Sequence, residues 1–312
     1  MLTSLAKKAQ SVAATMTAET PGNPRETTML RRVAIGVVTS MAVVSGASAQ
    51  QLLAERGAYL VNGVGGCNNC HTPRGPGGAL DLQLDKRLSG STQTFQAPQY
   101  TVKGSNLTPD NETGLGQWSD AQIKIALTQG KGRDGRKLAP NMPSAVYGFL
   151  TLRDQDAIIA YLRSIPAVRN AVQKPEYKAP FDITPYPNIQ TRSEADLSDP
   201  IKRGEYLMGL GHCMVCHSKG TPPDKMDYVN GLGGGGRKFG QQQSVTAANL
   251  TSKGVAAWTV AEFKRALTEG VSRDGRKLNP PMVDFAQYYK TITDDDINAM
   301  FAYMKSLKPV DM

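Results

Sequence analysis

Two five-residue runs hold the residue types that could do chemistry: Cys67-Asn68-Asn69-Cys70-His71 and Cys213-Met214-Val215-Cys216-His217. Two thiols at this spacing with a histidine directly after them suit covalent haem attachment, the thiols bonding the porphyrin vinyl groups and the imidazole ligating iron. The chain has four cysteines, all in these runs, so none is left for a disulfide, a zinc cluster or a catalytic thiol. A single C-x-x-C would equally suit a thioredoxin-like redox pair or half a zinc site. Two copies, each followed by His, point instead to two covalently bound c-type haems.

The group on the other face of each iron decides between carrying electrons and doing chemistry. His71 is the one histidine of the first half, so haem 1 cannot be bis-histidine from its own domain, and Met142 is the one methionine between Met41 and Met208. Met142 lies in Leu138-Ala139-Pro140-Asn141-Met142-Pro143, and its repeat partner is Met282 in Leu278-Asn279-Pro280-Pro281-Met282. A methionine is ordinarily an adaptable core filler. A repeated, Pro-flanked methionine downstream of a haem motif reads as an axial ligand, which raises the reduction potential and closes the iron. The metal ligands expected are therefore His71, Met142, His217 and Met282. With both axial positions filled, the chemistry left is one-electron transfer.

The elements that position these groups come in two copies. Arg56-Gly57-Ala58-Tyr59-Leu60 precedes the first motif and Arg203-Gly204-Glu205-Tyr206-Leu207 the second. Asn106-Leu107-Thr108 returns as Asn249-Leu250-Thr251, Trp118 as Trp258, and Arg133 to Leu138 as Arg273 to Leu278, in the same order, so the domain is duplicated. Ser119 with Gln122, and Thr259 with Glu262, predict capping boxes for helices ending at Gly130 and Gly270. Thr151 with Asp154, and Thr293 with Asp296, start a last helix in each half, with apolar stripes at three- and four-residue spacing. No run of alternating strand residues stands out, so each half is expected to be a small all-α domain wrapped around a haem, with the porphyrin filling much of its core.

Residues 1–49 read as an export signal: Met29-Leu30-Arg31-Arg32 is basic, Val33 to Val44 mostly apolar, and Ala47-Ser48-Ala49 a small-residue cleavage site. The apolar run falls short of the roughly 20 residues of a membrane span, an uncleaved anchor being the alternative. The chain then divides into a signal region over 1–49, a haem domain over 50–165, a Pro-rich linker over 166–200 and a second haem domain over 201–312. Removing 1–49 lowers the formal net charge from +9 to +6, a mild balance that indicates no nucleic-acid partner.

Secondary features have bland readings beside functional ones. His212 sits on the attachment side of haem 2, badly placed for a distal ligand. Arg133, Arg136, Lys137 and Arg273, Arg276, Lys277 suit propionates or an acidic partner, and equally a solvated loop. Trp118 and Trp258 are expected in core, and Gly233 to Gly236 as a flexible loop, since no Gly-Lys-Ser/Thr follows.

Arg-Gly-x-Tyr-Leu ahead of Cys-x-x-Cys-His-Thr at 56–72, then Asn106-Leu107-Thr108-Pro109-Asp110 through Thr113-Gly114-Leu115-Gly116-Gln117-Trp118-Ser119-Asp120, resemble the dihaem cytochrome c subunits of bacterial periplasmic dehydrogenases. That family serves alcohol, aldehyde and related dehydrogenases, including molybdenum hydroxylases of the nicotinate type. The resemblance implies tandem class I cytochrome c folds, with Cys67, Cys70, Cys213 and Cys216 as attachment residues, His71 and His217 proximal, and Met142 and Met282 distal. It also implies a periplasmic protein, with or without peripheral membrane association, carrying electrons from a dehydrogenase catalytic subunit to a quinone, cytochrome or terminal oxidase. A free-standing dihaem enzyme, of peroxidase or thiosulfate dehydrogenase type, is the competing class and would need one open or unusually ligated iron. Members often carry a tyrosine before the ligand and an aromatic after Met-Pro; here Met142 follows Leu-Ala-Pro-Asn and Val283 follows Met282.

Overall fold

Among the described residues, each half carries five α-helices in one order. In the first they are α1 (48–59), α2 (Asn68–His71), α3 (Asp120–Gln129), α4 (Ser144–Tyr147) and α5 (Leu152–Ser164). In the second they are α6 (Pro200–Leu210), α7 (Cys213–His217), α8 (Val260–Glu269), α9 (Met282–Tyr289) and α10 (Asp294–Ser306). The computed structural model describes residues 48–77, 81–187, 189–221, 224–239 and 241–312, of which Leu52–Met312 form one compact unit. The segment read as an export signal lies, apart from its last two residues, outside the described residues. Among those described, no helix is long and apolar enough to cross a membrane.

Local chemistry sets the helix ends as the sequence predicts. Ser119 Oγ accepts from the Gln122 amide while Gln122 Oε1 accepts from the Ser119 amide, and Thr259 and Glu262 repeat the exchange. Both helices stop at a glycine with positive φ, 63° at Gly130 and 69° at Gly270, a conformation that costs a side-chain-bearing residue. Thr151 and Thr293 cap α5 and α10 through the amides of Asp154 and Asp296.

The first and last helices of each half cross at a glycine. A Cβ on Gly57 would lie 1.9 Å from the Ala157 carbonyl oxygen, and one on Gly204 2.0 Å from that of Ala299. Backbone approaches this close exclude every other residue type, which explains the glycine in both Arg-Gly-x-Tyr-Leu copies. The halves differ by one residue just beyond: Cys67 follows Arg56 by one position more than Cys213 follows Arg203. The first half absorbs the extra residue as a π-helical turn over Leu60–Val64, with a Gly65 amide to Leu60 carbonyl bond of 2.8 Å.

Strands are present but short: β1 (Thr94–Ala97), β2 (Tyr100–Lys103) and β3 (Glu176–Tyr177) form one antiparallel sheet. The ribbons β4 (Lys219–Thr221) with β5 (Lys225–Asp227), and β6 (Lys238–Phe239) with β7 (Val245–Thr246), lie in the second half. At two to four residues each they carry too little alternation to stand out in the sequence.

The proline-rich stretch is an ordered strap. Its β3 pairs with β2, Tyr186 then buries its ring edge-on against Tyr228 at 5.0 Å, and the Arg192 amide returns to donate to the Phe149 carbonyl before its guanidinium pairs with Glu205. It therefore touches both halves, and one cluster of buried side chains, from Leu60 and Val61 to Met300 and Met304, runs through both.

The halves are also clasped reciprocally. Arg56 grips Asp154 within the first half, Nε to Oδ1 at 2.9 Å and Nη2 to Oδ2 at 2.8 Å, and Arg203 Nε grips Asp296 within the second at 2.6 Å. The tyrosine of each motif reaches across: the Tyr206 hydroxyl donates to Asp154 Oδ2 at 2.7 Å, and that of Tyr59 to Asp296 Oδ2 at 2.5 Å. Each hydroxyl also accepts from the other half's helix-capping threonine, Tyr206 from the Thr151 amide and Tyr59 from the Thr293 amide, both at 3.3 Å. The second exchange lacks the flat two-bond fork of the first in hydrogen-bond terms, yet the Arg203 Nη2 to Asp296 Oδ1 ion pair closes to 2.5 Å.

Burial and the bond to Asp296 push the Tyr59 phenol up from 10.0 to about 12. The unfolded chain surrenders that proton near its ordinary value, so the contribution to stability is complete below pH 10.0 and is lost as pH rises to about 12. Denaturant midpoints measured from pH 9 to 12 should fall across that window, and Tyr59→Phe should flatten the fall.

Candidate haem sites

Both C-x-x-C-H runs form the short helices α2 and α7, which bring two thiols and an imidazole to one side of a single turn. All four thiols are unpaired. Burial pushes Cys67 and Cys213 up to about 12 and Cys70 to about 11, and raises Cys216. A redox-active pair needs a depressed pKa, so these environments are the reverse of a thioredoxin-like site. Among the described residues no three His, Cys, Asp or Glu side chains gather to hold a metal, as a zinc cluster would require.

The histidines are held identically. His71 Nδ1 lies 2.8 Å from the Ser105 carbonyl and His217 Nδ1 2.8 Å from that of Ala248. Nδ1 must donate to these oxygens, which leaves Nε2 unprotonated for iron. Burial lowers both imidazole pKa values and favours that neutral form.

The residue after each holding carbonyl opens the repeated Asn-Leu-Thr. Asn106 Oδ1 accepts from the Thr108 amide at 2.9 Å and hydroxyl at 2.8 Å, and Asn249 Oδ1 from those of Thr251 at 2.8 and 2.7 Å. Their Nδ2 groups donate to the Val168 and Val310 carbonyls, just past the last helix of each half. The repeat thus fixes the carbonyl that fixes the histidine. Gly104 lets this strand pass the motif, since a Cβ there would fall 1.6 Å from the Cys70 carbonyl oxygen.

Two arginines that the sequence did not single out brace the motifs. Arg74 Nη2 donates to the Asn69 carbonyl and side chain at 2.8 and 2.6 Å, and Arg237 Nη1 to the Val215 carbonyl at 3.1 Å. Only the sequence distance to Arg74, three residues past His71, offered a signal; Arg237 is twenty residues from His217. Arg74 Nε and the Tyr288 hydroxyl are buried with no protein partner, which leaves donors for a cofactor's carboxylates. Thiol pairs, neutral imidazoles and spare donors together fit covalent haem.

Met142 stands in the turn before α4, its amide on the Ala139 carbonyl at 2.9 Å, and packs half-buried against the core. Met282 opens α9, its amide on the Asn279 carbonyl at 3.0 Å. The preceding basic stretches are tight hairpins closed by bridges Lys131 to Lys137 and Val271 to Lys277, with Gly135 and Gly275 at φ of 85° and 81°. Arg133 lies over the half-buried Trp118 ring at 5.6 Å, and Lys137 donates to the Phe181 carbonyl. His212 caps α7 at φ of 46° and meets the Phe285 ring edge-on at 6.3 Å. The stretch Gly233 to Gly236 is not a flexible loop: Gly233 to Gly235 are buried, the Gly235 amide donates to the His217 carbonyl, and the Gly233 carbonyl accepts from Leu250. Its glycines allow a tight, packed turn behind the second motif.

A family model for cytochrome c matches the chain twice, over residues 54–166 and 201–308. The chain is similar to one of the nicotinate dehydrogenase subunits of Pseudomonas putida, 30% identical over 290 residues, which is 89% of this chain and 23% of that protein. It is similar to the gluconate 2-dehydrogenase cytochrome c subunit of Pantoea cypripedii, 27% identical over 87% of this chain and 63% of the relative. A diheme cytochrome c-type protein of Cereibacter sphaeroides is 26% identical over 79% of this chain and 83% of its own length. The chain thus spans less than two thirds of the two dehydrogenase relatives. Each family match brackets one C-x-x-C-H helix with a carbonyl-held histidine, and the chain therefore belongs to the cytochrome c family, with two covalently bound haems.

Proposed function

We propose that this protein is an exported, periplasmic electron carrier that takes single electrons from a dehydrogenase catalytic subunit and passes them to the respiratory chain. The observation that carries this reading is the identical holding of His71 and His217, which presents two equivalent haem sites within one unit. Cys67, Cys70, Cys213 and Cys216 would attach the haems, and His71, His217, Met142 and Met282 would ligate their irons. When bound, each haem supplies a one-electron iron couple. The chain's part is to keep Nε2 unprotonated, to offer a methionine that would be each iron's second ligand and to exclude water with a shared apolar core. Half-buried Arg74 and Arg237 add positive charge beside the motifs, which favours the reduced state. Similarity to a nicotinate dehydrogenase subunit and to a gluconate 2-dehydrogenase cytochrome c subunit supports a dehydrogenase donor; a quinone, cytochrome or oxidase would accept.

The test is gentle isolation of the C-terminally tagged holoprotein from periplasm and membrane. The expected result is a stoichiometric dehydrogenase subunit whose substrate reduces both haems, with no rapid carbon monoxide binding after reduction. Rapid, stoichiometric binding at one haem, or peroxide turnover by the isolated protein, would sink the carrier reading in favour of a dihaem enzyme.

A further inference from the structure

The attachment cysteines lie at the contact between the halves. A Cβ on Gly65 would lie 3.5 Å from both Cys67 Sγ and Leu210 Cδ1, and one on Gly211 3.3 Å from both Cys213 Sγ and the Val64 carbonyl oxygen. The first thiol of each motif is therefore a neighbour of the other half's approach segment. Gly66, directly before Cys67, faces Phe285 and Tyr288 of the second half, and a Cβ on Gly209 would strike Phe149 of the first at 2.1 Å. Thioether bonds would form at these sulfurs, so the first attachment point of each motif lies beside this contact.

The same approach segments carry Tyr59 and Tyr206. They stand eight and seven residues before the first cysteines of their own motifs, and each binds the last helix of the other half. We infer that Tyr59 and Tyr206 are positioning residues for electron transfer between the two haems: their crossed hydroxyls set the separation of the two thioether edges. The inference rests on the reading that the haems carry electrons in series. Within each half the Arg–Asp pair is complete without the foreign tyrosine, so the hydroxyls are surplus to each half's own fold and act on the spacing between halves. The halves also approach closely beside the Tyr59 clasp, where Gly63 faces the Thr291 side chain of the second half.

The experiment uses full-length holoprotein and its Tyr59→Phe, Tyr206→Phe and double variants, which keep the rings and remove the hydroxyls. One haem is reduced by a radiolytic pulse and inter-haem equilibration is followed, alongside each haem's potential and the number of calorimetric unfolding transitions. The double variant should slow equilibration severalfold, because electron tunnelling falls off exponentially with the separation of the two centres. Both potentials and both spectra should stay native, while one unfolding transition becomes two. Gly209→Ala, which keeps both hydroxyls and sets a Cβ 2.1 Å from the buried Phe149 ring across the interface, should also slow equilibration. A native rate in the double variant, or a slowing matched by altered haem potentials, overturns the assignment and leaves the carrier reading intact. Should the double variant not accumulate, native rates in both single variants overturn it. Native protein whose haems exchange no electrons would instead defeat the series reading itself.

Discussion

Asp154→Ala should destabilise the holoprotein by about 3–5 kcal/mol, the usual cost of removing one partner from a buried ion pair. Asp154 is 2% exposed and accepts from three donors, two on Arg56 and one on Tyr206. Alanine strands a half-buried guanidinium and a phenol whose residue is 1% exposed. Against a typical total of roughly 5–15 kcal/mol, that is a fifth or more of the stability. Asp154→Asn keeps a carbonyl acceptor and should lose less. The two clasps adjoin, with Arg56 lying 5.5 Å from the Tyr59 ring centroid. Combining Asp154→Ala with Asp296→Ala should therefore depart from additivity. Guanidinium titrations followed by far-UV circular dichroism supply the numbers. A loss below about 1 kcal/mol would place the pair among exposed bridges and remove it from the account of the fold.

Replacing Met282 by histidine should lower the potential of haem 2 by about 0.1 V, a modest part of the roughly 0.8 V that axial ligands span. At about 59 mV per decade for one electron, that biases occupancy by more than tenfold toward haem 1. Met142→Ala should instead leave haem 1 reactive, so that the reduced variant binds one carbon monoxide per chain where the native protein binds none. Spectroelectrochemical titration reads the first variant and a stoichiometric gas titration the second. Unchanged potentials and unchanged gas reactivity in both would return these methionines to the role of core filler.

Local signals were legible because their partners are three or four residues away. Ser119 with Gln122 and Thr259 with Glu262 formed the capping boxes their spacing implied, and Gly130 and Gly270 ended the helices. The haem motifs were legible for the same reason. Repetition showed that Arg-Gly-x-Tyr-Leu and Asn-Leu-Thr matter, but not why. Tyr59 meets Asp296 across 237 residues of chain, and the Asn106 amide meets Val168 across 62. Spacing carries no information about contacts at such range. Glycine misled in one place: Gly233 to Gly236 looked mobile, yet the missing side chains serve close packing behind His217. The π turn at Leu60–Val64 was implicit in the unequal counts from arginine to cysteine, and needed only the two copies to be aligned.

The crossed tyrosines carry a statement about ancestry. When residue i of one copy meets residue j of another, and j of the first meets i of the second, the contact is isologous, the self-complementary kind found about a two-fold axis between identical subunits. Tyr59 on Asp296 and Tyr206 on Asp154 have that form within a single polypeptide. A half-length chain bearing one such tyrosine and one such aspartate would close on a second copy of itself. Fusion through the strap makes that encounter intramolecular, so the effective concentration no longer depends on expression. Once partners cannot part, the copies are free to differ, and the extra residue before Cys67 is one such difference, lodged where the two once-equivalent centres approach each other.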